Sequence, residues 1–114
     1  KHEMKIKHTN PDGSVVDVNV GERVWIGERV WIGERVWIGE RVDIYSGVTI
    51  ASVVTIRSNV NIDENVHIGK DVYIDFCATI GKNVQIGRNV KIGRNVNIRS
   101  GVTIRSNVTI TLGV

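Results

Sequence analysis

The sequence has little of what holds small secreted proteins together or carries a chain across a membrane. Its 114 residues include one cysteine, one proline and 5 % aromatic residues. A single cysteine, Cys77, excludes a disulfide framework within the chain. No run approaches the ~20 consecutive apolar residues of a transmembrane helix, and Lys1-His2-Glu3-Met4 lacks the apolar segment of a signal peptide. We therefore expect one domain, a cytoplasmic location and no membrane partner.

A six-residue repeat runs through most of the chain. Every sixth position from Val18 to Val114 is valine except Ala78, and a second column two residues later, from Val20 to Ile110, is isoleucine at 15 of its 16 positions. Two β-branched residues separated by one outward residue are typical of a short strand with one buried side. The other three residues of each unit are left to form a corner.

One position in that corner favours residues that tolerate a positive φ angle. Asparagine or glycine stands there at Gly47, Asn59, Asn65, Asn83, Asn89, Asn95, Gly101 and Asn107. This preference predicts a left-handed backbone at the slot. Other units place Arg23, Arg29, Arg35, Arg41 and Val53 there, and the β-branched Val53 should be the most strained.

Short strands joined by sharp corners can wind into a coil, and three six-residue units close a triangle. Residues 18 apart then stack, as in the column Ile26, Ile44, Ile62, Ile80 and Ile98. The sequence therefore predicts an all-β fold, a triangular parallel solenoid of about five coils over residues 18–114. Residues 1–17 are out of phase and contain a strong turn, which predicts an N-terminal capping hairpin.

The unit Val-x-Ile-Gly-x-x resembles the hexapeptide-repeat family over about residues 18–114. The segment Ile74-Asp-Phe-Cys-Ala-Thr-Ile80 is similar to a coil of sugar acetyltransferases. The resemblance implies a left-handed parallel β-helix and transfer of an acyl group from coenzyme A to a sugar or an amino acid. In that family a histidine acts as general base, usually beside a loop that interrupts the repeats and at a groove between subunits.

This chain departs from that pattern because no loop interrupts the repeat, so nothing in it predicts the walls of a pocket. His67 is the one histidine in the repeat and only a weak catalytic candidate; a solvated surface histidine is the simpler interpretation. A zinc site needs several converging ligands, whereas His2 and His8 lie in the hairpin. Cys77 has no histidine in its own or the adjacent column, so we expect a structural role.

These observations predict a structural, non-catalytic scaffold, an engineered or idealised hexapeptide-repeat protein that is not an enzyme and has no metal and no cofactor. The alternative is a hexapeptide acyltransferase that uses acetyl-coenzyme A, or a fragment of one that lacks its catalytic loop. Residues 76–114, the C-terminal third of the chain, carry six cationic side chains and a charge of +6. These cations are spread over all three corners, and no aromatic side chain lies among them to stack on nucleic-acid bases. We expect no specific nucleic-acid partner.

The least usual feature is the sequence Gly-Glu-Arg-Val-Trp-Ile, repeated identically three times from Gly21 to Ile38. Three units make one coil, so Trp25, Trp31 and Trp37 should stand at one height, one on each outer face. A coil with three identical sides is typical of a designed, duplicated or consensus sequence. The tryptophans could lie flat on their neighbours, contact another copy, or form a ligand platform. We expect any homo-oligomer to form through these outer faces or through the C-terminal coil, which shows no cap.

Overall fold

The computed structural model describes residues 3–113, which form strands, turns and corners but no helix. Accordingly, nothing helical in that range could span a bilayer. The first two strands are six residues long and each later strand has two. The strands are β1 (Met4–Thr9), β2 (Val15–Val20), β3 (Trp25–Ile26), β4 (Trp31–Ile32), β5 (Trp37–Ile38), β6 (Asp43–Ile44), β7 (Thr49–Ile50), β8 (Thr55–Ile56), β9 (Asn61–Ile62), β10 (His67–Ile68), β11 (Tyr73–Ile74), β12 (Thr79–Ile80), β13 (Gln85–Ile86), β14 (Lys91–Ile92), β15 (Asn97–Ile98), β16 (Thr103–Ile104) and β17 (Thr109–Ile110).

The strands form three sheets that are the three sides of a solenoid. Side A has the order β1-β2-β5-β8-β11-β14-β17, side B contains β3-β6-β9-β12-β15, and side C contains β4-β7-β10-β13-β16. Within a side the solenoid strands are parallel and step by 18 residues, as in the pairing of Ile26 with Ile44 and of Ile80 with Ile98. The predicted three-sided solenoid of about five coils is confirmed.

The core is the column of valines and isoleucines inside the triangle. From Val30 to Ile98 these side chains, with Ala78, are between 0 % and 6 % exposed. At about 1.5–3 kcal/mol for each fully buried aliphatic side chain, the columns provide the main favourable term of folding. Burial weakens at both ends: Val24 and Ile26 are half-buried in the first coil, and Val102 is 37 % exposed near the other. Val114, which the repeat also assigns to the core, lies outside the described residues.

Each corner turns on one residue with a positive φ angle, as predicted from the asparagines and glycines. The slot is left-handed at every sixth residue from Arg23 to Asn107, including Val53 at 61°, Asp71 at 61° and Cys77 at 65°. The backbone N–H of this residue donates to the preceding coil, as Asn83 N does to Glu64 O at 3.0 Å. The corners are therefore hydrogen-bonded ladders like the sides.

The hairpin closes two of the three sides at the N-terminal end. β1 pairs antiparallel with β2, with Met4 opposite Val20. The Asn10 side chain pairs with the backbone of Ile32 in β4, and the His8 Nε2 atom donates to Val30 O at 2.8 Å. These bonds occupy the outer edges of β2 and β4. No residue between 3 and 113 pairs with the outer edge of β3, which is the end strand of side B.

Candidate functional site

His67 stands on the outer face of side C, as the repeat predicts. It belongs to β10 and lies between Thr49 of β7 and Gln85 of β13. Its backbone N–H donates to Val84 O at 3.0 Å, so the strand fixes the position of its Cα atom. The side chain is exposed, and no residue in the described range hydrogen-bonds to the ring. A ring in this state can accept a proton from a molecule bound beside it.

His67 lines an open groove of about 390 Å³ that continues along side C onto the following corner. Glycine at the corner keeps the floor of the groove low: a Cβ atom on Gly69 would lie 2.8 Å from the backbone of Gly87. The remaining wall comes from polar and cationic residues. Its lining includes Gln85, Arg88, Thr103, Arg105 and Ser106.

The groove is positively charged because its two arginines have no acid beside them. Neither Arg88 nor Arg105 lies within 4 Å of a carboxylate in residues 3–113, whereas Lys82 at another corner reaches Glu64 at 4.0 Å. The Arg88 backbone N–H donates to the Ser106 hydroxyl at 3.0 Å, which links two successive coils of the groove. Unpaired guanidinium groups on such a wall favour a phosphate or a carboxylate.

The structure does not bring together the residues of the metal site or of the cysteine–histidine pair that were considered from the sequence. No group of three or more His, Cys, Asp or Glu side chains in residues 3–113 could hold a metal ion. His8 contacts the edge of β4, two strands away from β10, and His2 lies outside the described residues. Cys77 is exposed at the corner between sides A and B, opposite side C, so it cannot form a dyad with His67.

The three tryptophans occupy three different sides of the first complete coil, as predicted. They pair along the sheets with Asp43, Thr49 and Thr55 respectively. Trp25 is 60 % exposed and Trp37 is 44 % exposed, while Trp31 is half-buried. Trp37 borders a shallow groove with Glu3, Glu40 and Arg57, and Trp25 borders another with Asp43 and Tyr45. Their role in contacts stays a prediction.

One aromatic cluster was not predicted. The Arg57 guanidinium lies 4.2 Å from the centroid of the Phe76 ring, and that of Arg94 lies 5.4 Å from it. Arg57 also donates to the Tyr73 hydroxyl at 2.7 Å. The sequence contained a signal for this cluster, because Arg57, Phe76 and Arg94 are separated by 19 and 18 residues, which places them at one corner of successive coils.

Comparison with known proteins supports the same fold. A family model described as bacterial transferase hexapeptide (six repeats) matches residues 77–111. A comparison with curated proteins finds no match.

Several solved acetyltransferases have a similar solenoid. A histidine-to-asparagine mutant of perosamine N-acetyltransferase from Caulobacter crescentus, in complex with CoA and GDP-perosamine, matches with a TM-score of 0.65 and 20 % identity over 81 % of this chain and 47 % of that one. A serine acetyltransferase in complex with cysteine matches with a TM-score of 0.62 and 22 % identity over 85 % and 38 % of the two chains. The acetyltransferase domain of PglB from Neisseria gonorrhoeae matches with a TM-score of 0.54 and 16 % identity over 79 % of this chain and 55 % of that one. The chain thus spans about half or less of the length of these structures.

These findings correct the functional prediction made from the sequence. The chain carries hexapeptide repeats and forms a β-solenoid that resembles those of acetyltransferases. The prediction that it is not an enzyme is wrong by this comparison, because several solved structures with a similar solenoid are acetyltransferases. The comparisons also give no support to a designed scaffold and favour the acyltransferase alternative. The unbroken repeat led to the error, because it shows only that this segment has no internal loop.

Proposed function

We propose that this chain forms the solenoid of an acyltransferase that moves an acetyl group from acetyl-coenzyme A to an amine or a hydroxyl. The observation that carries the proposal is the groove on side C, where an exposed histidine and two arginines without a carboxylate partner among residues 3–113 line one surface. The similarity of the solenoid to acetyltransferases supports it.

His67 is the residue that we assign as general base. The acceptor's nitrogen or oxygen attacks the thioester carbonyl carbon, and the imidazole takes the proton that the acceptor loses. The bond between the carbonyl carbon and the sulfur breaks, and coenzyme A leaves as a thiolate that then takes up a proton. His67 suits this role because its ring is open to the groove and is not held in a hydrogen bond with another described residue.

Arg88 and Arg105 are the residues that we assign to the phosphates of coenzyme A. Guanidinium groups bind phosphate oxygens in pairs of hydrogen bonds, and these two lie in the same groove as His67. A second copy placed against side C would supply the opposite wall that one solenoid lacks. That arrangement would exclude water from the thioester and is the homo-oligomer that we favour.

Calorimetry with acetyl-coenzyme A tests the binding step. We expect saturable binding, weakened about tenfold or more when Arg88→Gln and Arg105→Gln are combined. The matched control combines Lys82→Gln with Arg99→Gln, which removes the same charge at another corner and should leave the affinity unchanged. No saturable binding at millimolar ligand, or equal losses in both variants, would overturn the assignment.

Release of the coenzyme A thiol in the presence of amine and hydroxyl acceptors tests the chemical step. The assay belongs in a Cys77→Asn background, because the exposed Cys77 thiol would react with the thiol reagent and asparagine suits its left-handed backbone. His67→Gln should lower turnover by roughly 10²–10⁴ and keep the affinity for acetyl-coenzyme A. Asn97→Gln, on the exposed face of β15 in side B and outside the groove, is the control and should keep full turnover. Full turnover in the His67→Gln variant would contradict the role of His67.

A further inference from the structure

Side B carries two exposed aromatic side chains close together on its outer face. Trp25 is 60 % exposed and Tyr45 is 38 % exposed. Trp25 of β3 lies directly beside Asp43 of β6 in the parallel register. Tyr45 follows two residues after Asp43, so the alternation along the strand turns all three side chains outward. Large aromatic side chains that are exposed together are typical of surfaces that bind another molecule.

These side chains line one open groove of about 720 Å³, which we call the Trp25 groove. Its described lining comes from β3, from β6 and from the corners that follow these two strands, and it includes Glu28 and Ser46. Glycine keeps the floor low here too, because a Cβ atom on Gly27 would lie 2.9 Å from the Ser46 nitrogen. None of the described lining residues belongs to the groove of His67, which lies on side C and the corner after it.

The Trp25 groove is negatively charged. Asp43 and Glu28 line it, and no lysine, arginine or histidine among residues 3–113 does. The Asp43 carboxylate is half-buried and has no ion pair or side-chain hydrogen bond with another residue in that range. Glu28 lies 3.8 Å from Arg29, but that guanidinium is largely exposed and outside the lining. Two aromatic rings and two carboxylates on one surface attract a cation.

The other two tryptophans of the same coil lack this environment, although their hexapeptides are identical. The next coil places a threonine beside Trp31 and another beside Trp37, where Trp25 has an aspartate. The corner position that Tyr45 occupies is Ala51 on side C and the cation Arg57 on side A. The combination of aromatic rings and acids therefore occurs on one side of the triangle, and the coil after the tryptophans creates it.

We infer that the Trp25 groove binds a quaternary ammonium group. Such a group spreads its positive charge over methyl groups, so aromatic rings can contact it without breaking strong hydrogen bonds to water. Trp25 and Tyr45 supply the rings, and Asp43 supplies the opposite charge. Both a free solute such as choline and the headgroup of phosphatidylcholine present this chemistry. The site lies on a different side from His67, so the inference does not depend on acyl transfer.

NMR of the three indole N–H groups of the full chain during titration with choline tests the inference. The matched control ligand is the alcohol in which an uncharged tert-butyl group replaces the trimethylammonium group. We expect choline to shift the Trp25 indole with saturation, to leave those of Trp31 and Trp37 unchanged, and to bind about tenfold more tightly than the alcohol. Equal affinity for the two ligands, equal shifts of all three indoles, or no saturation up to about 100 mM choline would overturn the inference.

Variants assign the binding to the named side chains. Tyr45→Leu and Asp43→Asn should each weaken choline binding about two- to fivefold, and Asp43→Asn should not change the affinity for the alcohol. Trp37→Leu, in a hexapeptide identical to that of Trp25, is the matched control and should bind choline as the parent chain does. Circular dichroism of each variant checks that it is folded. Unchanged choline affinity in both Tyr45→Leu and Asp43→Asn would contradict the assignment.

Sedimentation of the chain with phosphatidylcholine vesicles distinguishes the two sources of the ligand. Retention on the vesicles that free choline displaces supports the inference and identifies a lipid headgroup. Binding of free choline without retention on vesicles also supports it and identifies a soluble quaternary ammonium compound, because the bilayer surface then does not reach the groove.

Discussion

The side chain of Asn10 pairs with both backbone groups of Ile32. The Ile32 N–H donates to Oδ1 at 2.8 Å, and Nδ2 donates to the Ile32 carbonyl at 3.1 Å. A primary amide presents an acceptor and a donor side by side, as a neighbouring strand does, so Asn10 takes the place of a neighbouring strand beside Ile32. Asn10 is itself only 5 % exposed, and its position is further fixed by backbone bonds of the turn with Ser14 and Gly13.

Asn10→Leu should therefore destabilise the protein. The substitution leaves two backbone groups of β4 without partners in a buried place, which costs about 1–3 kcal/mol per group. We expect a lower midpoint in urea, measured by circular dichroism. Asn97→Leu, on the exposed face of β15, is the control and should change the midpoint little. An unchanged midpoint in Asn10→Leu would show that water replaces the amide at no cost.

Val53→Asn should stabilise the protein. Val53 has a φ angle of 61°, a conformation that costs a β-branched residue roughly 1–2 kcal/mol and that asparagine adopts readily. The next corner provides the reverse substitution, since Asn59 has a φ angle of 64° in the equivalent position. Thermal unfolding should give a higher Tm for Val53→Asn and a lower Tm for Asn59→Val. Shifts in the same direction would contradict the strain argument.

The contact between Lys7 and Asp17 should make stability depend on pH. The ammonium of Lys7 donates to Asp17 at 2.9 Å across the hairpin and, by this hydrogen bond and by its charge, lowers the pKa of the Asp17 carboxyl below 3.8. A lowered pKa in the folded state means a stabilising contribution that is present above the unfolded pKa and disappears as the pH falls through the folded one. The Tm of the parent chain should exceed that of Asp17→Asn at pH 7 by a small margin that disappears once the pH falls below the lowered pKa of Asp17.

Salt provides the control for this ion pair. Both side chains are more than half exposed, so 1 M NaCl should reduce the difference between the parent chain and Asp17→Asn at pH 7. A Tm difference that stays constant from pH 7 to pH 2 would assign the effect of the substitution to something other than the charge on Asp17.

The periodic part of this molecule could be predicted from its sequence because one rule generates it. A six-residue period fixes which side chain faces inward, and three units per coil fix that residue 67 stands between residues 49 and 85. Asparagine and glycine at one position of the repeat predicted the left-handed backbone of the corners. Asp71 and Cys77, which occupy the same position, also have positive φ angles.

The features that make the N-terminal end differ from the regular coils could not be predicted in this way. Asn10 lies outside the repeat, and no pattern states that its amide reaches Ile32, 22 residues away. The half-buried state of Ile26 depends on where the hairpin stops, although its sequence neighbours are identical to those of Ile32. The positive charge of the groove at His67, in contrast, agrees with the charge of +6 that the sequence gives residues 76–114, to which Arg88 and Arg105 belong.

The stack of Arg57 on Phe76 should be measurable as a coupling energy. At 4.2 Å from the ring centroid, the guanidinium is within the range in which an exposed cation–π contact contributes about 0.5–1 kcal/mol. A double-mutant cycle with Arg57→Met and Phe76→Leu isolates this energy from the hydrogen bond to Tyr73, which Arg57→Met removes in both backgrounds. The same cycle with Arg94→Met should give a smaller coupling, because that guanidinium lies 5.4 Å from the centroid. Additive effects of Arg57→Met and Phe76→Leu on the free energy of unfolding would show that the two side chains are only neighbours.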